Sequence, residues 1–141
     1  MSIEVIGIEN VIAKMYLAAN SAENAVDEEV RKGAFVVQDT ATNSIKSGGK
    51  SGKAYKRGEK THIASAAGEA PAADTGKLDG SILALKSIDG DGWLVGTALD
   101  YGKYLELGTK DIKPRPWLIP ALEKNRNAIE NNIKSAIKAK L

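Results

Sequence analysis

The run YGKYLELGTKDIKPRPWLIPALEK, residues 101–124, decides how this chain folds, because it reads as a junction between two helices. Tyr101, Tyr104 and Leu105 fall on one face at helical spacing, and Asp100 is placed to cap that short helix. Gly108 is the residue type that can take a left-handed conformation and stop it. Thr109–Lys113 form a polar spacer. Pro114 and Pro116 stiffen the chain that follows. Pro116 and Pro120 are tolerable near a helix start, where backbone N–H groups have no partner in the helix. A last helix then runs to the C-terminus, with Leu122, Ile129, Ile133 and Ile137 on one stripe. Its other face carries Lys124, Arg126, Lys134, Lys138 and Lys140, and cations suit the negative end of a helix dipole. Trp117 is expected to anchor the start of this helix against the sheet.

Working outward from the junction, LALKSI and WLVGTA flank DGDG, and two apolar runs around an Asp-Gly pair predict a β-hairpin. Before it, DTGKLDGSI predicts a short helix capped by Asp74 or Thr75. From about Glu9 to Ile45 the apolar positions Val11, Ile12, Met15, Ala18, Ala19, Ala22, Val26, Val30, Val37 and Ala41 step by threes and fours, which predicts one long helix. Such a helix spans on the order of 50 Å, more than a small domain needs, so an overhang is expected. Gly33 is its weak point and an expected bend. Ser2–Ile6 alternate and read as a strand. Residues 46–60, KSGGKSGKAYKRGEK, are basic and glycine-rich. They read as a mobile loop or loose hairpin with KAYKR as the best strand, and THIASAAGEAPAAD as an extended or disordered connector. The expectation is one domain over 1–141 of α+β class: a small antiparallel sheet packed by a long N-terminal helix and a C-terminal helix, with a mobile segment at about 46–73.

Composition narrows the chemistry. The 141 residues contain no cysteine and one histidine, which excludes disulfides, thiolate metal sites and His-pair metal motifs. The net charge of +2 by itself does not suggest a nucleic-acid binder. The N-terminus lacks a signal-peptide pattern and no apolar run reaches the ~18 residues of a membrane span, so the expected chain is soluble and made in a cytoplasm. DTG at 74–76 has the aspartic-protease triplet, but alanines precede it and a capped helix accounts for it. GGKSGK at 48–53 departs from a phosphate loop at Ser47, where a glycine is required, and at Ala54, where a Ser or Thr should hold magnesium. His62, Glu69 and Asp74 lack the rigid support that acid–base catalysis needs, and His62 reads as a surface residue. Asp27, Glu28 and Glu29 are adjacent on a helix and diverge. No enzyme, cofactor or metal is expected. The basic residues Lys46, Lys50, Lys53, Lys56, Arg57 and Lys60 are the candidates for contact with phosphates or an acidic partner, and the alternative function is a small DNA-binding protein using this loop and the basic C-terminal helix.

Two stretches together resemble a known family. One is YKRGEKTHIASAAGEAPAADTGKLDGSI, residues 55–82, with His62, Gly68, Glu69, Pro71, Asp74–Gly76 and Leu78 in order. The other is residues 101–123, with Tyr101, Tyr104–Glu106, Gly108, Thr109, Pro114–Leu118 and Pro120–Leu122. They are similar to the tail-component family of long-tailed bacteriophages and prophages, of the lambdoid gene-product-ten type, with Trp117 where that family often has phenylalanine. The resemblance covers about half of the chain. It implies a non-enzymatic virion protein at the neck or tail end, described as minor tail, tail completion or head–tail joining. It implies a homo-oligomeric ring that docks to other connector, neck or tail-tube proteins, with DNA passing the ring and no membrane partner. In that setting Tyr101 and Tyr104 are expected on the core or at a subunit boundary. Arg115 is expected to pair with a carboxylate, either Glu106 or one on a neighbouring subunit.

Overall fold

The computed structural model describes residues 8–48, 50–73, 76–90 and 92–140, the side chains of Ile8, Glu9 and Arg57 excepted. The expected strand at Ser2–Ile6 lies outside the described residues. The fold is α+β, as expected, and its spine is α1, Ile8–Ser47, a helix of 40 residues that reaches about 60 Å. It is helical straight through Gly33. A Cβ at Gly33 would stand 3.1 Å from Cγ1 and Cγ2 of Ile129. The glycine therefore serves a close helix–helix approach, and its cost of roughly 1 kcal/mol in helix propensity is offset by contact with the neighbouring helix.

That neighbour is α4, Ile119–Lys140. It runs antiparallel to α1. Asn125 Nδ2 donates to Thr40 Oγ1 at 3.0 Å, while Ile129 meets Gly33. Of the expected apolar stripe, Ile129 packs on the core, but Leu122 is 42% exposed and Ala121 beside it is buried instead. The smaller residue lets α4 seat closely on α1.

The core gathers on the C-terminal half of α1, where Val37, Ala41 and Ile45 meet Leu78, Ile82, Trp117 and Ala121. Leu78 belongs to α2, Lys77–Ser81. This helix starts on Gly76, at φ 76°, without a side-chain cap; the expected caps Asp74 and Thr75 lie outside the described residues. The hairpin read from DGDG is present as β3, Leu83–Lys86, paired antiparallel with β4, Trp93–Gly96, with Leu85 opposite Leu94. Ala84 and Val95 face inward, and Gln38 Nε2 of α1 donates to the Ile82 carbonyl at 2.8 Å. Phe35 of α1 meets the Trp93 ring at 5.7 Å between centroids.

In place of the expected single sheet, the described residues form two separate two-stranded sheets. The second is β1, Ala54–Arg57, paired antiparallel with β2, Lys60–Ile63. Its described positions are exposed apart from His62, so it buries no face against α1 as β3–β4 does. The strand expected in KAYKR is thus present, and its partner lies in a segment read as a connector. The base of this hairpin is closed by Gly52 N donating to Ala64 O at 2.8 Å and Ala64 N to Lys53 O at 2.9 Å. Beyond it, Glu69 accepts from Ala66 N at 2.9 Å, from Ser51 N at 3.2 Å and from the Ser51 hydroxyl. These bonds to the ionised form hold the Glu69 carboxyl below its ordinary value, the Ser51 hydroxyl contributing most.

Candidate assembly junction

The candidate site is the passage from α3, Asp100–Leu107, to α4. Leu99, not Asp100, is the N-cap of α3, and its N–H bonds Thr97 Oγ1 at 3.1 Å. Asp100 is instead the first helical residue, where a negative charge still meets the positive end of the dipole. Gly102 is buried in the middle of α3. A Cβ there would come within 2.6 Å of Thr97 Cγ2, 3.2 Å of Leu78 Cδ1 and 3.4 Å of Trp117 Cζ2. The missing side chain is what lets Thr97 and Leu78 close on the helix, and the indole of Trp117 lies beside them. Trp117 is 3% exposed, and its Nε1–H donates to the Gly102 carbonyl at 2.9 Å. The expected anchor is therefore present, but it rests on α3 and α1 rather than on the sheet.

Glu106 has a role that sequence spacing did not give. Its Oε2 accepts from Trp117 N at 2.6 Å and Leu118 N at 2.9 Å, and its Oε1 from Ile119 N at 2.8 Å. The start of α4, Trp117-Leu118-Ile119, offers no Ser, Thr, Asp or Asn to satisfy its free N–H groups. Glu106 supplies that cap from the preceding helix, and Pro120, lacking an N–H, removes one further donor from the first turn. This corrects the expected Arg115–Glu106 pair: the carboxylate is committed to backbone N–H groups. Arg115 Nε is buried without an acceptor, while its backbone N–H donates to Leu105 O at 2.6 Å. The side chain lines a small cleft of about 210 Å³ with His62, Ser65 and Pro71. His62 stands in β2 and is half-buried, which corrects its reading as a surface residue.

The link between the helices is equally tied down. Gly108 has φ 74° and ψ 172°, outside the left-handed helical well and in a region open essentially to glycine alone. A Cβ there would meet Pro114 Cδ at 2.8 Å. Thr109 N donates to Ile112 O at 2.8 Å, and Thr109 Oγ1 accepts from Ile112 N at 3.1 Å, so the spacer is a closed turn. Gly68 N donates to Pro114 O at 3.0 Å and fastens the link to the segment after β2.

The remaining candidates lie on the outside. Tyr101 and Tyr104 are 40% and 50% exposed, so their rings are only partly committed to the core. Lys46, Lys50, Lys53, Lys56 and Lys60 are exposed on the end of α1 and around the β1–β2 hairpin; Arg57 is in β1. The acidic run of α1 diverges as expected. Asp27 pairs with Lys86 at 3.4 Å, Glu28 with Arg31 at 2.6 Å and Glu29 with Lys32 at 3.3 Å. No helix among the described residues is long and apolar enough to cross a membrane. Comparison with known proteins found no matching family model, curated protein or solved structure.

Proposed function

We propose that this chain is a non-enzymatic structural protein of a tailed bacteriophage or prophage, acting at the neck, head–tail junction or tail-completion step. It forms a homo-oligomeric ring that docks to other connector, neck or tail proteins in the virion. The α3–α4 junction carries this reading, together with the sequence resemblance that runs through it. The angle between the helices is held by a cap donated from Glu106, an indole on Gly102 and a closed turn at Thr109. A ring needs such fixed geometry, since angular error accumulates around it. Half-exposed Tyr101 and Tyr104 beside the junction offer apolar bodies with polar tips to a neighbour. Negative-stain imaging of the purified protein tests the ring, and particles produced without it test the location. Full heads separate from tails are expected; normal joined particles overturn the assignment.

One observation favours a second reading. The β1–β2 hairpin projects exposed Lys53, Lys56 and Lys60, with Lys46 and Lys50 beside them, a basic ribbon suited to phosphate contact. In the ring reading it faces DNA passing through; in the alternative, DNA binding is the function itself. Titration with duplex DNA separates these. Tight, salt-dependent binding by a monomer favours the alternative.

A further inference from the structure

The pairing of Asn125 with Thr40 and of Ile129 with Gly33 fixes the register of the antiparallel helices. Continued, it sets the last turn of α4 level with about Ala22–Val26 of α1. Beyond that turn, among the described residues, α1 extends alone for about a dozen residues, roughly 18 Å. This arm does not become polar where its cover ends. Val11, Ile12, Met15, Tyr16 and Leu17 are 56%, 46%, 66%, 69% and 69% exposed. Val11, Ile12, Met15 and Ala19 continue the same stripe that Val26, Val30, Gly33 and Val37 present to the body of the protein. A bare helix with so little polar surface calls for a cover.

The same chain carries an open apolar groove. It has a volume of about 350 Å³, and Val30, Ala34, Trp93, Val95, Ile119 and Leu122 line it between α1, β4 and the start of α4. Ile119 and Leu122 on its rim are 52% and 42% exposed. Trp93, in its wall, has an indole N–H buried without an acceptor. The arm cannot fill its own groove. Both belong to one unbroken helix, and Met15 lies roughly 28 Å along the axis from Ala34.

We infer that the α1 arm of one copy lies in the α1–β4–α4 groove of the next, through Val11, Ile12, Met15 and Tyr16. The area decides for a second copy. Val11, Ile12, Met15 and Tyr16 expose on the order of 500 Å², so with an equal area of partner the contact reaches at most about 1,000 Å², the lower bound for a specific interface. Helix-in-groove docking uses anchors three and four residues apart, as Met15 is from Ile12 and Val11. The contact is heterologous, one arm and one groove per subunit, and such contacts generate rings when the rotation closes. The inference rests on the ring reading for that closure, but the contact itself stands apart from it.

The test uses the full chain in sedimentation velocity. Ile12→Glu/Met15→Glu blocks the arm, and Leu122→Glu blocks the groove rim. All three residues are well exposed, so melting temperatures should match wild type. Each variant alone is expected to lose the oligomer at concentrations where wild type is assembled. Mixed one to one, they are expected to form dimers and nothing larger, because only one arm and one groove remain to meet. Leu85→Glu, on the exposed outer face of the β3–β4 hairpin, should assemble as wild type. Wild-type rings that persist in either variant, or are lost in Leu85→Glu, overturn the docking while leaving the ring reading intact. An open oligomer that needs both arm and groove keeps the docking and removes the ring. A monomeric wild type removes both.

Discussion

The indole N–H of Trp117 donates to the backbone carbonyl of Gly102, at a face of α3 where Thr97 takes the space that a side chain at Gly102 would need. That hydrogen bond joins α3 to the start of α4, and the absent methyl group lets Thr97 and Leu78 pack on the same face. Gly102→Ala is expected to force Thr97 and Leu78 away from α3, with overpacking costs of about 1–3 kcal/mol. Trp117→Ala should cost about 3–5 kcal/mol and damage folding. Thermal unfolding of both variants checks the order; a Gly102→Ala protein as stable as wild type would show that the contact is loose.

Glu106→Gln keeps the shape of the side chain but removes the charge that three backbone N–H groups share. Hydrogen bonds to a charged acceptor contribute about 1.5–3 kcal/mol. A loss of about 1–3 kcal/mol is expected, and amide exchange should quicken first at Trp117, Leu118 and Ile119. Exchange unchanged at those amides would sink the capping role.

Arg115→Met is expected to leave stability unchanged or raise it, since Arg115 Nε is buried with no acceptor and an unsatisfied donor costs about 1–3 kcal/mol. The ring reading adds that this variant folds yet fails to assemble. A melting temperature several degrees lower would reveal an intrachain role, and normal assembly would remove Arg115 from the interface.

Glu69 sets a pH dependence. Its folded-state pKa lies below its ordinary value because the carboxylate accepts from Ser51 and Ala66. The unfolded chain therefore takes up this proton first as pH falls. The contribution is full above the ordinary glutamate value and is lost on descending through the folded one. Exchange at the Ser51 and Ala66 amides, corrected for intrinsic rates, should accelerate over that acid window. In Glu69→Gln the acceleration should be absent; a similar acid response in that variant would assign the effect elsewhere.

The elements that carry their own pattern were legible in the sequence. The steps of three and four through α1, the Asp-Gly turn between β3 and β4 and the stop at Gly108 are local signals, and each lies where it was read. The cap on α4 was not legible, because Glu106 and Ile119 are far apart in the chain and only the fold closes that distance. Gly33 and Gly102 were missed for the same reason. A glycine reads as a weak point until the neighbour that needs the space, Ile129 or Thr97, is in place. The sheet was miscounted because β1–β2 is held by backbone bonds and Glu69, with no apolar alternation to show which face it lacks.

The unbroken course of α1 makes it a lever. From Ala41, sealed in the core, to Val11 on the arm is roughly 45 Å of helix. A tilt of about one degree at the core end therefore moves the tip by roughly 0.8 Å over that length. Side-chain packing tolerates displacements of that size and little more. The contact of Gly33 with Ile129 leaves no slack for such a tilt. Loosening the body of the protein at Gly33 should therefore be felt less in its own stability than in where its far end points.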